Sequence, residues 1–370
     1  MNRRYDVAAY IWPGYTGDEP RALQFWDEGY GEWQTVKNMR PRFDGHRWPR
    51  KPVWGYVNEA DRYVMEMQIA AAADHGVNVF IYDWYWYDSR PFEENCLNDG
   101  FLKARNRDRM KFYLAWCNHD FGYGCDSRNA SAPGAIWLGT VDRAEFERMA
   151  QRIIAKFFSE PNYYKVDGAP VFEIYDLDNL ILGLGGVEAT REALDWFREQ
   201  TIGAGHPGLH LQLTSWGADV VHLSGIEGGV KHTGVELVDA LGFDSLTNYQ
   251  YVHYTNVDRE YSDIMVDVLK EWERMGREYS IPYFPHVSVG WDANPRFAEF
   301  KPGIIRNNPP AEIEAALRQA KAYVDAHPEQ APLITINSWN EWTEGSYLEP
   351  DSLYGYGYLE AVKSVFVDGL

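Results

Sequence analysis

Short apolar runs rich in β-branched and aromatic residues alternate along the chain with longer segments whose apolar positions recur at helical spacing. The runs read as strands over 5–12 (YDVAAYIW), 77–84 (VNVFIYDW), 111–118 (KFYLAWCN), 170–175 (PVFEIY), 209–216 (LHLQLTSW), 245–251, 282–290 (PYFPHVSVG) and a last one opening at Leu333 and Ile334. Helical spacing follows each of them, over 59–75, 93–105, 143–158, 187–201, 235–241, 258–279, 310–327 and 354–366. Eight strands, each followed by a helix, make the count of an α/β fold, a single (β/α)8 TIM barrel with long βα loops, and no Pro/Ser-rich linker divides residues 1–370 into further domains. The segment 13–56 is too long for a plain connection and reads as a wall of a site, and a glycine-rich loop spans 122–139. A barrel of this kind gathers its functional side chains at the C-terminal strand ends and fills its interior with Val, Ile and Leu.

Composition narrows the class. Aromatic residues make up 15% of the chain, with 15 Trp and 25 Tyr, more than a core requires and suited to stacking against sugar rings. A net charge of -20 argues against nucleic acid or an anionic membrane as partner. No stretch approaches the roughly 18–20 apolar residues that span a bilayer. The opening MNRRYDVAAYIWPGY is strand-like and interrupted by Asp6, so the chain as it stands reads as cytoplasmic, and as periplasmic or secreted if a signal preceded it. Cys96, Cys117 and Cys125 form an odd set without CxxC spacing, which fits reduced thiols.

The chemistry concentrates in 334–350, ITINSWNEWTEGSYLEP, where a buried strand runs into Trp339, Asn340, Glu341, Trp342, Thr343 and Glu344. Two carboxyl groups three residues apart among indoles can protonate one oxygen and deprotonate another beside a stacked sugar. The competing reading is that Glu341 and Glu344 open the next helix, near the positive end of its dipole. Other strands also end on aromatic and polar groups: Trp12; Asp83 with Trp84 and Trp86; Trp116 with Asn118 and His119; Trp216; Tyr249; and Trp291 with Asp292. Asp83 and Asp292 are suited either to sugar hydroxyls or to ion pairs with arginines of the long loops, and about half of residues 84–87 should face away from any site. His119 beside Cys117 and Asp120 is short of a metal-ligand set, and no GxGxxG, Walker or HExxH pattern calls for a cofactor.

From Trp339 onward, WNEWTEGSYLEPDSLYGYGYLEA resembles the signature of the family 99-like proteins: the endo-α-1,2-mannosidases and mannanases of glycoside hydrolase family 99 and, more closely, the WbsX-type group. The resemblance extends to AAYIWPGY, IYDWYWYDSRP, KFYLAWCN, APVFEIY and YFPHVSVGWDANPR, so it touches most strand ends. It implies a barrel glycosidase without a metal in its chemistry. Glu341 would be the base that takes the proton of a sugar 2-hydroxyl, so that O2 attacks C1 to give a 1,2-anhydro sugar, and Glu344 the acid that protonates the leaving oxygen. Two positions depart from the pattern: Thr343 stands where the mannosidases commonly have His, and Cys117–Phe121 replaces Ala-Asn-Glu-Asn-Trp.

The combined expectation is a retaining glycoside hydrolase acting on an α-linked oligosaccharide or polysaccharide. The alternatives are a glycosyltransferase, the older assignment of the WbsX name, and a non-catalytic carbohydrate-binding barrel. Structurally, Glu341 and Glu344 should open into one pocket lined by at least three of Trp84, Trp86, Trp116, Trp216, Trp291 and Trp339.

Overall fold

The computed structural model describes residues 5–122, 124, 134–217, 220–222 and 231–369. Eight parallel strands form its centre: β1 (Asp6–Ile11), β2 (Val79–Tyr87), β3 (Lys111–Trp116), β4 (Ala169–Ile174), β5 (His210–Thr214), β6 (Ser245–Thr247), β7 (His286–Ser288) and β8 (Leu333–Asn337). Their order is β6-β5-β4-β3-β2-β1-β8-β7, and a parallel bridge between Leu246 and Tyr283 brings the two ends together into a nearly closed (β/α)8 barrel. Around it lie α1 (Trp33–Asn38), α2 (Arg62–Asp74), α3 (Arg143–Ile153), α4 (Leu177–Leu184), α5 (Val187–Gly203), α6 (Gly234–Leu241), α7 (Tyr261–Glu278), α8 (Pro310–Ala326) and α9 (Gly357–Phe366). Asp61, Asp142 and Asp176 cap α2, α3 and α4 by accepting backbone N–H bonds, which starts α2 three residues later than its apolar spacing alone suggests.

The strand faces alternate strictly. Val7, Ala9, Ile11, Phe80, Tyr82, Phe112, Leu114, Phe172, Leu211 and Ile336 are buried against the helical layer. The residues between them point into the barrel, where Val79, Ile81, Val171 and Leu333 supply only part of the expected Val/Ile/Leu filling and polar groups supply the rest. Tyr10 donates to Glu173 Oε1 at 2.7 Å, as does Thr214 at 2.7 Å, and Thr335 meets both Thr247 (2.8 Å) and His286 (3.0 Å). The barrel interior is therefore a polar column, satisfied partly by its own hydroxyls.

Helices α1 and α4 have no counterpart in the sequence reading, and three predicted elements are cut short. Segment 93–105 forms only one wide π-helical turn, Cys96–Phe101, in which Gly100 sits against the Glu59 carbonyl, where a Cβ would come within 2.1 Å. Strand 282–290 shrinks to His286–Ser288, its entry interrupted by Pro282 and Pro285, which lack an N–H for the ladder. After Thr247 the chain leaves the sheet, and Tyr251–His253 is a 3-10 turn. Most of the glycine-rich loop 122–139, with Cys125, lies outside the described residues; Cys96 and Cys117 are buried free thiols.

Candidate active site

Beyond β8 the chain passes through a cis peptide between Asn337 and Ser338 and forms a tight hairpin, Asn340–Glu341 pairing with Ser346–Tyr347. Between these arms Trp342–Glu344 makes a single 3-10 turn closed by Gly345 at φ 66°. The next helix does not begin until Gly357, so the two glutamates cap no helix. Ser338 Oγ accepts from the Glu341 N–H (2.7 Å), and Trp342 Nε1 donates to Glu349 (2.6 Å), which pins the hairpin from both sides.

Glu341 and Glu344 open into one cavity of about 220 Å³ at the C-terminal mouth of the barrel. Its walls come from Trp12, Tyr85, His119, Tyr175, Tyr249 and Arg296, with Cys117, Asp120 and Phe121 beside them. Arg296 bridges the carboxyl groups: Nη1 lies 2.7 Å from Glu344 Oε1, Nη2 3.3 Å from Glu341 Oε2, and Nε 2.8 Å from Thr343 Oγ1. Glu32, from the long first loop, accepts from Thr343 Oγ1 (2.9 Å) and stands 3.5 Å from Arg296 Nε. Three buried carboxyl groups thus surround one guanidinium, and one positive charge cannot balance three negative ones. Burial pushes Glu341 well above the usual carboxylate range, with Glu344 adding to the rise and Arg296 opposing it. Burial likewise raises Glu344 against the pull of Arg296, and brings Glu32 to about 7.

A second chain of contacts approaches Glu341 from below. The Tyr249 hydroxyl lies 2.8 Å from Asp83 Oδ2 and 3.3 Å from Glu341 Oε1. One phenolic proton serves only one of these, so the other carboxyl completes its hydrogen bond with a proton of its own. Burial raises Asp83 well above its ordinary range, which supplies such a proton.

Among the residues singled out in the sequence, Trp12, His119, Tyr249, Glu341 and Glu344 line the cavity, and Asp83 supports it through Tyr249. The indole platform set is corrected. Trp84 and Trp86 point toward the helices, where their Nε1 groups donate to Glu94 (2.7 Å) and Glu145 (2.6 Å). Trp116 packs on Phe146 and Phe172, and Trp339 on Phe80 and Trp54. Trp216 stacks on His253 beside a different cavity, and Trp291 is half-buried against the core. None of the six lines the pocket: period-two alternation turns Trp84, Trp86 and Trp116 to the opposite face from Asp83, and Trp216, Trp291 and Trp339 lie beyond the ends of their strands. Tyr85, Tyr175 and Tyr249 form the aromatic wall instead. Asn118 and Asn340 are structural: the first bonds the Asp176 backbone (2.7 and 2.8 Å), the second the Trp12 backbone and Glu59. Asp292 pairs with His46 and Trp48 Nε1, each at 2.7 Å, rather than with a loop arginine. Arg296 and Glu32 were missed, although Arg296 closes the stretch YFPHVSVGWDANPR that carries part of the family resemblance.

The fold and the site together define a (β/α)8 barrel with a carboxyl pair at its C-terminal mouth. The chain belongs to the WbsX family, whose model, described as "Glycosyltransferase WbsX", matches residues 8–362. Proteins named "Uncharacterized protein WxcX" from two strains of Xanthomonas campestris pv. campestris are 23% identical over 358 residues, 93% of this chain and 47% of theirs, so the chain spans about half their length. Among solved structures it is similar to a family 99 endo-α-mannosidase from Bacteroides thetaiotaomicron (TM-score 0.59, 14% identity, 98% of this chain and 96% of that one). A glycoside hydrolase-like protein gives a TM-score of 0.61 at 16% identity, covering 99% of this chain and 94% of the other. At these identities the likeness establishes the fold.

Proposed function

We propose that the protein is a retaining glycoside hydrolase acting on an α-linked glycan, with Glu341 and Glu344 as its proton-transfer residues. The observation that carries this reading is the pair itself: two buried glutamates on two arms of one guanidinium, at a barrel mouth with tyrosine and tryptophan walls. In the proposed cycle Glu341 takes the proton of a sugar 2-hydroxyl, O2 attacks C1, and the bond from C1 to the leaving oxygen breaks as Glu344 protonates that oxygen. Water, deprotonated by Glu344, then opens the anhydro ring at C1 while Glu341 returns the proton to O2. An internal nucleophile already has the advantage of proximity, so the protein supplies position and proton transfer. The cycle begins with the shared proton on Glu344. Arg296, nearer Glu344, favours the proton on Glu341, and the cycle uses the coupling of the pair to carry it to Glu344 as the 2-hydroxyl approaches Glu341.

The test is incubation of the purified protein with α-mannans and complex bacterial polysaccharides, without any nucleotide sugar, followed by analysis of released oligosaccharides. Release that vanishes in Glu341→Gln supports the hydrolase. Turnover only after a sugar nucleotide is added would make the family's descriptive name the better account of the activity.

A further inference from the structure

A second cavity, of about 480 Å³, lies on the other side of the wall formed by residues 292–296 and Gly345. The two cavities share that wall: Asp292 faces the second one, while its backbone N–H bonds the Glu344 carbonyl and Arg296 reaches the paired glutamates. The second cavity is lined by His46, Arg47, Trp48, Arg50, Phe300 and Tyr354, which combines aromatic faces with cationic groups in a chain of net charge -20. Its acidic residues are already engaged. Asp292 accepts from His46 and Trp48, and Asp258 is 2.6 Å from Arg306. Arg47 and Arg50 differ: among the described residues neither has a carboxylate within ion-pair distance. Arg47 is exposed and reaches only the Tyr354 hydroxyl, at 3.5 Å. Arg50 lies over the Trp48 ring, 5.3 Å from its centroid, and donates through Nη1 to Tyr347 at 3.3 Å, while its buried Nε has no hydrogen-bond partner. A half-buried guanidinium with an unsatisfied N–H, beside a second unpaired arginine, is built for a planar anion.

We propose that this cavity is an accessory subsite taking a sugar residue that bears an anionic group, on the same glycan whose linkage enters the Glu341/Glu344 pocket. The inference deepens the glycosidase reading by naming an acidic glycan as substrate class. The ring would pack on Phe300 and Tyr354 while Arg50, held over Trp48, and Arg47 bind the anion, and the shared wall would fix the distance between the acidic sugar and the cleaved bond.

Calorimetric titration with tetragalacturonate, its carboxyl-reduced neutral counterpart and inorganic phosphate tests the subsite without requiring turnover. The acidic tetramer is expected to bind at least tenfold more tightly than the neutral one. Arg50→Gln and Arg47→Gln should each erase most of that difference, and Glu341→Gln should leave it in place. Arg47 lies at the surface, so its variant reports even if Arg50→Gln fails to fold. Phosphate that competes with the tetramer in an Arg50-dependent way supports the anionic class and points to a phosphorylated sugar. Equal affinity for the two tetramers, or acidic binding untouched by both arginine variants, overturns the proposal. Arg50-dependent binding of a glycan that is never cleaved sinks the hydrolase reading alone. Cleavage of neutral glycans with KM unchanged in Arg50→Gln sinks the subsite alone.

Discussion

At the scale of single residues, burial sets the proton affinity of the site and Arg296 moderates it. The guanidinium lowers Glu344 and Glu341, but burial outweighs it and both stay above the usual carboxylate range. Glu341→Gln and Glu344→Gln are each expected to reduce the rate by about 10²–10⁴-fold with an unchanged circular dichroism spectrum, on the scale of acid–base catalysis. Arg296→Met should instead move the pH profile: without the cation both carboxyl groups rise further, and the acidic limb of kcat/KM shifts to higher pH. An unshifted profile in that variant would show that Arg296 does not moderate the proton affinity of the pair. The glutamates were legible because they stand in one compact motif. Arg296 and Glu32 were not, because their role arises only when β7 and the first loop are folded against β8, and no local spacing encodes that meeting.

At the scale of elements, β2 shows what a sequence gives and what it withholds. The strand itself was plain from its apolar run, yet the facing of its tryptophans needed a phase, and that phase is set by Asp83 pointing inward. Counting by twos from Asp83 reaches Tyr85 and Tyr87 and leaves Trp84 and Trp86 outside. Trp12→Ala and Tyr85→Ala should therefore raise KM, by about tenfold at the scale of an aromatic contact, while Trp84→Phe and Trp116→Phe should lower the melting temperature and leave KM unchanged. A raised KM in the second pair would contradict the assigned faces. The hairpin after β8 has its own pH dependence. Gln68 Nε2 donates to Glu59 (3.0 Å) and to Glu349 (2.8 Å), and burial brings Glu59 to about 8. The folded protein thus keeps a proton that the unfolded chain releases above about 4.5, so this contribution is complete below that pH and is lost as pH rises toward 8. Thermal denaturation of Glu59→Gln across this window should show a smaller loss of stability with rising pH than the parent. Parallel curves would mean that Glu59 is ionised in the folded state.

At the scale of the whole molecule, the barrel was readable from eight alternations of strand and helix, whereas its closure was not. The seam between β6 and β7 rests on the bridge from Leu246 to Tyr283, with backbone bonds from Leu246 to Pro282 and from Phe284 to Leu246, in place of a continuous ladder. Amide hydrogen exchange is accordingly expected to be faster for Leu246 and Phe284 than for the long β2–β3 ladder, and equal protection would show a seam stronger than its hydrogen bonds imply. The polar column inside the barrel also escaped the sequence, because a strand with one face on helices and the other on a hydroxyl network looks the same as a strand buried on both sides until its phase is known. That column reaches further than packing. The groups beneath the pocket, Asp83, Glu173, Thr214 and Thr335, belong to the strands, whereas Glu341, Glu344, Arg296 and Glu32 stand on segments beyond them, so the two can be inherited separately. A lineage can rebuild the segments that carry the carboxyl pair and keep the column beneath them, or change a strand residue such as Asp83 and retune the pair from underneath through Tyr249 without altering the segments that meet a glycan.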